Sequence, residues 1–339
     1  GKYGRALSGT PQAMEKKKAA FYLAQGPYNQ ALGLWYAGEK FSPEAKADVE
    51  AKVATMIDVY KSRLQTADWL ASETREKAIT KLNVITPHIG YPEKLPETYD
   101  KKIIDENLSL VENAQKLVEI SVAHSWSKWN QPVDRSEWHM PAHMVNAYYD
   151  PQQNQIVFPA AILQAPFYDL HQSSSANYGG IGAVIAHEIS HAFDTNGASF
   201  DENGSLKNWW TEEDYAAFKE RTDKIVDQFE GLDSYGAKVN GKLTVSENVA
   251  DLGGVACALE AAKRDKDFSV SEFFVNFATI WRMKAREEYM QMLASVDVHA
   301  PAKWRTNVIV SNFDEFHKEF DVKEGDGMWR APEDRVIIW

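Results

Sequence analysis

The pentapeptide His187-Glu188-Ile189-Ser190-His191 constrains this chain more than any other stretch. Two histidines four positions apart share one face of an α-helix about one turn from each other, so both imidazoles reach one metal ion if the segment is helical. Glu188 projects between them, placed to take a proton from a water that the metal activates. The preceding run Ile181-Gly182-Ala183-Val184-Ile185-Ala186 gives the helix an apolar side. An amphipathic core helix with exposed polar residues would show the same letters.

A zinc site that keeps one position open for water needs three protein ligands, and two histidines supply only two. Ser246-Glu247-Asn248-Val249-Ala250-Asp251-Leu252-Gly253-Gly254 offers Glu247 and Asp251, again four apart, on a second expected helix that starts at a Ser or Thr cap. One carboxylate of such a pair can bind metal while the other orients a ligand. A carboxylate behind a ligating histidine fixes its tautomer and raises its basicity, so Asp251 hydrogen-bonded to His187 is chemically sound. For an isolated acidic pair, a solvated helix face is the alternative.

The surroundings read as mainly α with a small β component. Ser42 as N-cap, Pro43 at the first helical position and the stripe Val49, Val53, Met56, Ile57, Tyr60, Leu64 predict a helix over 42–65, and a second follows from Ser72 to about Leu82. Pro87, Gly90, Pro92 and Pro96 then read as a connection between structural units, with a boundary near residue 104. Residues 106–130 look helical, with Leu108, Val111, Leu117 and Ile120 spaced for burial. Two β-prone runs, 145–150 and 155–158, flank Pro151-Gln152-Gln153-Asn154 and predict a hairpin.

Composition narrows the function. The 339 residues, 44% of them hydrophobic, suffice for one large or two ordinary cores, and a net charge of −12 argues against a nucleic-acid partner. No apolar run approaches the roughly 20 residues of a membrane span. The single cysteine, Cys257, excludes an internal disulfide and reads as a small core residue; it points to a reducing, cytoplasmic setting. The opening Gly-Lys-Tyr-Gly-Arg lacks an initiator methionine and reads as interior sequence. His124, His139 and His143 lie near tryptophans and are expected to be packed or exposed rather than metal-binding, whereas Asp194 reads equally as a partner of His191 or as a solvent-facing residue.

The ordered series Asn146-Ala147-Tyr148-Tyr149, His187-Glu188-Ile189-Ser190-His191-Ala192-Phe193-Asp194, Asn208-Trp209-Trp210 and Glu247-Asn248-Val249-Ala250-Asp251 resembles the neprilysin family of zinc metallopeptidases, most of all its bacterial oligopeptidase O branch. Asp297-Val298-His299-Ala300-Pro301, Arg305 and Trp339 continue the resemblance in the same order. It implies one Zn²⁺ held by His187, His191 and Glu247, with Glu188 as base and Asp251 behind a ligand. It further implies that Asn146, Ala147 and Arg305 hold substrate backbone, that His299 stabilises the oxyanion, and that Val184 and Trp281 line a pocket for the residue after the cut. The expected activity is endopeptidase cleavage of oligopeptides on the amino side of hydrophobic residues. By the same resemblance, residues 1–104 are the end of a helical lid lobe and 105–339 a thermolysin-like catalytic lobe, the N-terminal half being a separate or missing segment. The family's animal members carry a cysteine near the C-terminus where this chain has Val336-Ile337-Ile338-Trp339, which fits a bacterial member.

Three rival readings follow. An aminopeptidase would need further acidic residues near the metal for the substrate amine, and none stands out. A zinc-stabilised binding module would close its site with four ligands, often thiolates, which one distant cysteine does not supply. A catalytic fragment inactive without its N-terminal half is the third.

Overall fold

The computed structural model describes residues 2–339. It begins with helices α1 (Lys2–Leu7), α2 (Lys16–Gln25), α3 (Asn29–Lys40), α4 (Pro43–Thr66) and α5 (Ser72–Asn83). Strand β1 (Thr86–Gly90), helix α6 (Leu110–Ser127) and strands β2 (Tyr148–Asp150) and β3 (Gln155–Pro159) follow. Next come α7 (Ser174–Asn177), α8 (Ala183–Ser190), α9 (Glu212–Phe229) and the strand pair β4 (Asp233–Ser234) and β5 (Ala237–Lys238). Helices α10 (Gly241–Ala262), α11 (Val270–Ile280), α12 (Glu287–Val296), α13 (Ala302–Val310) and α14 (Asp314–Glu319) complete it. The architecture is mainly α with a small β component, as the sequence predicts.

Local chemistry sets most of these boundaries. Ser42 Oγ accepts the Ala45 amide at 3.2 Å to start α4, whose residues Val49, Val53, Met56, Tyr60 and Leu64 are buried. The hairpin forms with a shorter first strand than the 145–150 read from the sequence, Tyr148 standing opposite Val157 and Asp150 opposite Gln155; Asn154 takes the left-handed conformation, φ 47°, that ends its turn. The stretch after α5, expected to be connection alone, instead contributes β1, parallel to β3 in a sheet ordered β1-β3-β2. Pro87 is tolerated because β1 lies at the sheet edge, where a missing N–H need not break the ladder.

Helix α6 departs from expectation differently. Ser109 and Glu112 form a reciprocal capping box at its start, so the helix itself is well specified. Its apolar side is nonetheless open, with Val111 at 74% and Trp126 at 70% exposure. Spacing reports an apolar stripe, and a stripe is buried only where another element lies over it.

Helix α8 is the centre of the core, buried along its whole length. Helix α10 lies so close that a Cβ added to Gly254 would stand 2.8 Å from the His187 amide nitrogen. Helix α4 also packs on α8: Tyr60 Oη donates to the Ala186 carbonyl at 3.0 Å, and the Cys257 thiol of α10 meets the Met56 carbonyl at 3.6 Å. Residues on both sides of position 104 thus share one core. Trp339 closes it, its indole N–H donating to Ser190 Oγ at 2.9 Å and its ring stacked on Trp69 and Phe218. Among the described residues, no helix is long and apolar enough to cross a membrane.

Candidate metal centre

His187 sits in the last turn of α8 and His191 immediately beyond it, and their Nε2 atoms face each other 3.0 Å apart. Each imidazole is held from behind. His187 Nδ1 pairs with Asp251 Oδ1 and His191 Nδ1 with Asp194 Oδ2, both at 2.7 Å. A carboxylate on Nδ1 takes the ring proton there, leaving both Nε2 lone pairs aimed at one point. The carboxylate of Glu247, on α10, reaches the same point, and the three ligand atoms lie within 4.8 Å of one another.

The donor set fits a zinc ion. Glu247 Oε2 is buried without a hydrogen-bond partner, although His187, His191 and His299 stand 3.2, 3.5 and 3.1 Å from it. Burial disfavours a charged His187, yet Asp251 and Glu247 outweigh it and carry the ring up to about 9. Burial likewise opposes a charged His191, and Asp194 and Glu247 raise it well above its ordinary value. Burial would raise Glu247, but the three imidazoles around its carboxylate override it and hold the group well below the carboxylate range. Two imidazoles gathered on one carboxylate offer a divalent cation a place that protons otherwise take, and two imidazoles with one carboxylate are an ordinary three-ligand zinc set.

Behind the ligands lies a buried charge network. Arg305 donates to Asp251 through Nε and Nη2, both at 2.7 Å, and its guanidinium lies 3.9 Å from the Trp281 ring centroid. Burial pushes Asp251 up, but Arg305 and His187 hold it at about 2. Asp194 is 2% exposed and also accepts Ser246 Oγ at 2.6 Å, so of its two sequence readings the buried partner of His191 is the one realised. Ser246 lies within α10 rather than capping it; the cap is Asn240, whose Oδ1 accepts the Leu243 amide at 3.0 Å.

A cleft of about 1060 Å³ passes over these atoms, and every site residue singled out in the sequence lines it. Glu188 is buried beside the ligands, its carboxyl raised by burial against the pull of His187 and His191. His299 enters from the loop before α13, with Nδ1 on Asp297 Oδ1 at 2.9 Å. Asn146 and Ala147 form the cleft edge just before β2, where Asn146 Oδ1 accepts the Ala147 amide at 3.0 Å. Val184 and Trp281 stand on the apolar wall with Phe277, Ile280 and Met290. His139 instead bonds Gln153 at 3.0 Å and His143 bonds Gln25 at 2.7 Å, apart from the ligand cluster. Sequence reasoning missed Ser246 and the grip of Arg305 on Asp251, which depend on which segments fold beside each other.

Two models of peptidase family M13 match the chain, one over residues 1–92 and the other over 146–336. A neutral endopeptidase of Lactococcus lactis is 54% identical over 339 residues, all of this chain and 54% of that protein. The crystal structure of PepO from Lactobacillus rhamnosis superposes with a TM-score of 0.94 at 42% identity, over 99% of this chain and 54% of that one. A Mycobacterium tuberculosis zinc metalloprotease, Zmp1, crystallised with an inhibitor, gives 0.92 at 37% identity, over 99% and 53% respectively. The chain spans about half the length of the curated relatives it matches.

Proposed function

The chain belongs to peptidase family M13, the neprilysin family, and from that premise we propose that it carries the catalytic centre of a zinc-dependent endopeptidase, with one Zn²⁺ on His187, His191 and Glu247 and Glu188 as general base. The observation that carries this reading is the meeting of two imidazole nitrogens and one carboxylate beside the free, buried Glu188 at the foot of an open cleft.

Zinc, when bound, supplies Lewis acidity, polarising the peptide carbonyl and lowering the pKa of a water to about 7. Glu188 takes the proton of that water as it adds to the carbonyl carbon, then passes it to the departing amine. His299, with Nδ1 engaged by Asp297 and Nε2 3.1 Å from Glu247 Oε2, stands beside the ligands to meet the charge that develops on the carbonyl oxygen; one such donor is typically worth about 3 kcal/mol. Arg305, already fixed to Asp251, offers its remaining nitrogen to a substrate carbonyl, and Asn146 and Ala147 hold the substrate backbone along the cleft edge. Val184 and Trp281 favour a hydrophobic residue after the scissile bond.

The substrates on this reading are oligopeptides, the setting is cytoplasmic, and the N-terminal half of a longer protein completes the lid lobe. Residues 1–104 belong to the end of a lid lobe and 105–339 to the catalytic lobe, with α4 of the lid segment packed on α8 through the Tyr60 hydrogen bond to Ala186 and sharing its core. A second reading, a catalytic fragment silent until its N-terminal half is supplied, is favoured by the chain's spanning about half of its relatives.

Zinc content and cleavage of an end-blocked, quenched peptide are compared for wild type and Glu188→Gln, with and without the N-terminal half. Stoichiometric zinc in both with cleavage lost in the variant is expected. Cleavage confined to the mixture selects the fragment reading, whereas zinc without cleavage under either condition sinks the peptidase assignment. A peptide panel cut equally well before acidic and apolar residues would remove the pocket preference.

A further inference from the structure

Lys81 lies in none of the motifs, yet it is only 1% exposed. Its Nζ donates to three backbone carbonyls, Ala192 at 2.9 Å, Gly197 at 2.7 Å and Phe200 at 2.8 Å. An ammonium has three N–H donors and meets all three acceptors, which a methionine of similar length cannot. Burying a cation is costly unless it is well bonded, so the arrangement calls for a reason. The acceptors supply one: Ala192 lies just past the C-terminal end of α8, where carbonyls run out of amide partners and the helix dipole favours a cation.

The same turn carries Asp194. Gly197 is held on both sides, its carbonyl oxygen accepting from Lys81 and its amide donating to Asp194 Oδ1 at 2.8 Å. A Cβ at Gly197 would fall 1.9 Å from the His191 carbonyl, so this turn rests directly on the motif backbone. Lys81 also touches the cleft hairpin, since its carbonyl accepts Asn154 Nδ2 at 3.1 Å and its ammonium lies 5.7 Å from the Tyr149 ring centroid.

We propose that Lys81 is a positioning residue of the metal centre: from α5 its ammonium fixes the turn 192–200, and through Gly197, whose carbonyl it binds and whose amide binds Asp194, it holds that carboxylate where it orients His191. This rests on His187, His191 and Glu247 binding a metal.

Zinc affinity, read by chelator competition on the full chain, is compared for wild type, Lys81→Met, Asp194→Asn and the double variant. Tight, stoichiometric zinc in the wild type establishes the metal site independently of Lys81; its absence removes the metal reading and this proposal with it. With that secured, Lys81→Met is expected to weaken affinity about 10–100-fold, the range for loss of a group that orients a ligand. The double variant should fall no more than about twofold below Asp194→Asn alone, because both changes break one path. Unchanged affinity in Lys81→Met, or losses that multiply in the double variant, would overturn the assignment. Should Lys81→Met fail to fold, Lys81→Gln carries the same comparison with Co²⁺ in place of zinc. A visible absorption band identical to wild type would then overturn it, and a shifted band is the expected result.

Discussion

Asp251 stands between an imidazole and a guanidinium, and both hold it by 2.7 Å hydrogen bonds in a site that is 3% exposed. Removing its charge leaves Arg305 buried without an anion, a change that costs about 3–5 kcal/mol. Asp251→Asn is therefore expected to lower the unfolding free energy of the metal-free chain by that amount at neutral pH and to weaken zinc binding about 10–100-fold. The sign of the pH dependence is fixed by the direction of the shift. Because the folded carboxyl is held at about 2, below its unfolded value, its stabilisation is present above about pH 4 and is lost as pH falls through 2. Urea melts of the two metal-free proteins should show a difference that grows as pH falls from about 9 to about 6, where His187 gains its proton on Asp251, holds to about pH 4 and closes toward pH 2; a difference already closing at pH 6 would contradict the pairing. The i, i+4 spacing of Glu247 and Asp251 made this carboxylate legible in the sequence. Arg305 as its partner was not, because that contact joins α10 to α13 and no periodicity reports which helices lie side by side.

At the scale of elements, the metal centre depends on the close approach of α8 and α10, since the histidines ride on one and Glu247 on the other. Gly254 permits it: an added Cβ would meet the His187 nitrogen at 2.8 Å and the Ala183 carbonyl at 2.9 Å, backbone atoms that cannot swing aside. Gly254→Ala is expected to cost about 1–3 kcal/mol as the helices part, and to weaken zinc binding because Glu247 moves with α10. Gly38, exposed in α3, gives the opposite sign. A Cβ there meets nothing within 4 Å, so Gly38→Ala should stabilise by about 0.5–1 kcal/mol without touching zinc affinity. Denaturant unfolding beside chelator competition checks both, and a Gly254→Ala protein with unaltered affinity would show that α10 can shift without disturbing the ligands. Helix α4 and the hairpin were legible because a cap, a proline and a turn sequence mark them locally. Strand β1 was not: its Pro87 argues against a strand until the edge position is known, and that position is set by β3 some seventy residues later.

For the whole molecule, the question is where the chain divides. Composition allowed one large core or two, and no local pattern chooses between them. The contacts do choose for residues 43–83. Val53, Met56, Tyr60 and Leu64 are at most 2% exposed, and Asp214 at the start of α9 accepts the Ala71 amide at 2.7 Å, tying α5 to the catalytic helices. Trp69 reaches further still, stacked against both Phe218 of α9 and Trp339. Each fully buried side chain of this kind is worth roughly 1.5–3 kcal/mol, so four of them alone rival the roughly 5–15 kcal/mol by which an ordinary domain is stable. Their removal would also uncover the opposing faces of α8 and α10. A polypeptide of residues 105–339 is thus expected to show no cooperative thermal transition and to lose zinc to a weak chelator, whereas one of residues 41–339 should keep both properties. Circular dichroism melts and zinc retention compare the two directly. If 105–339 melts cooperatively and keeps its zinc, then α4 and α5 only decorate the catalytic helices and the lobe boundary near residue 104 divides the core as well as the sequence.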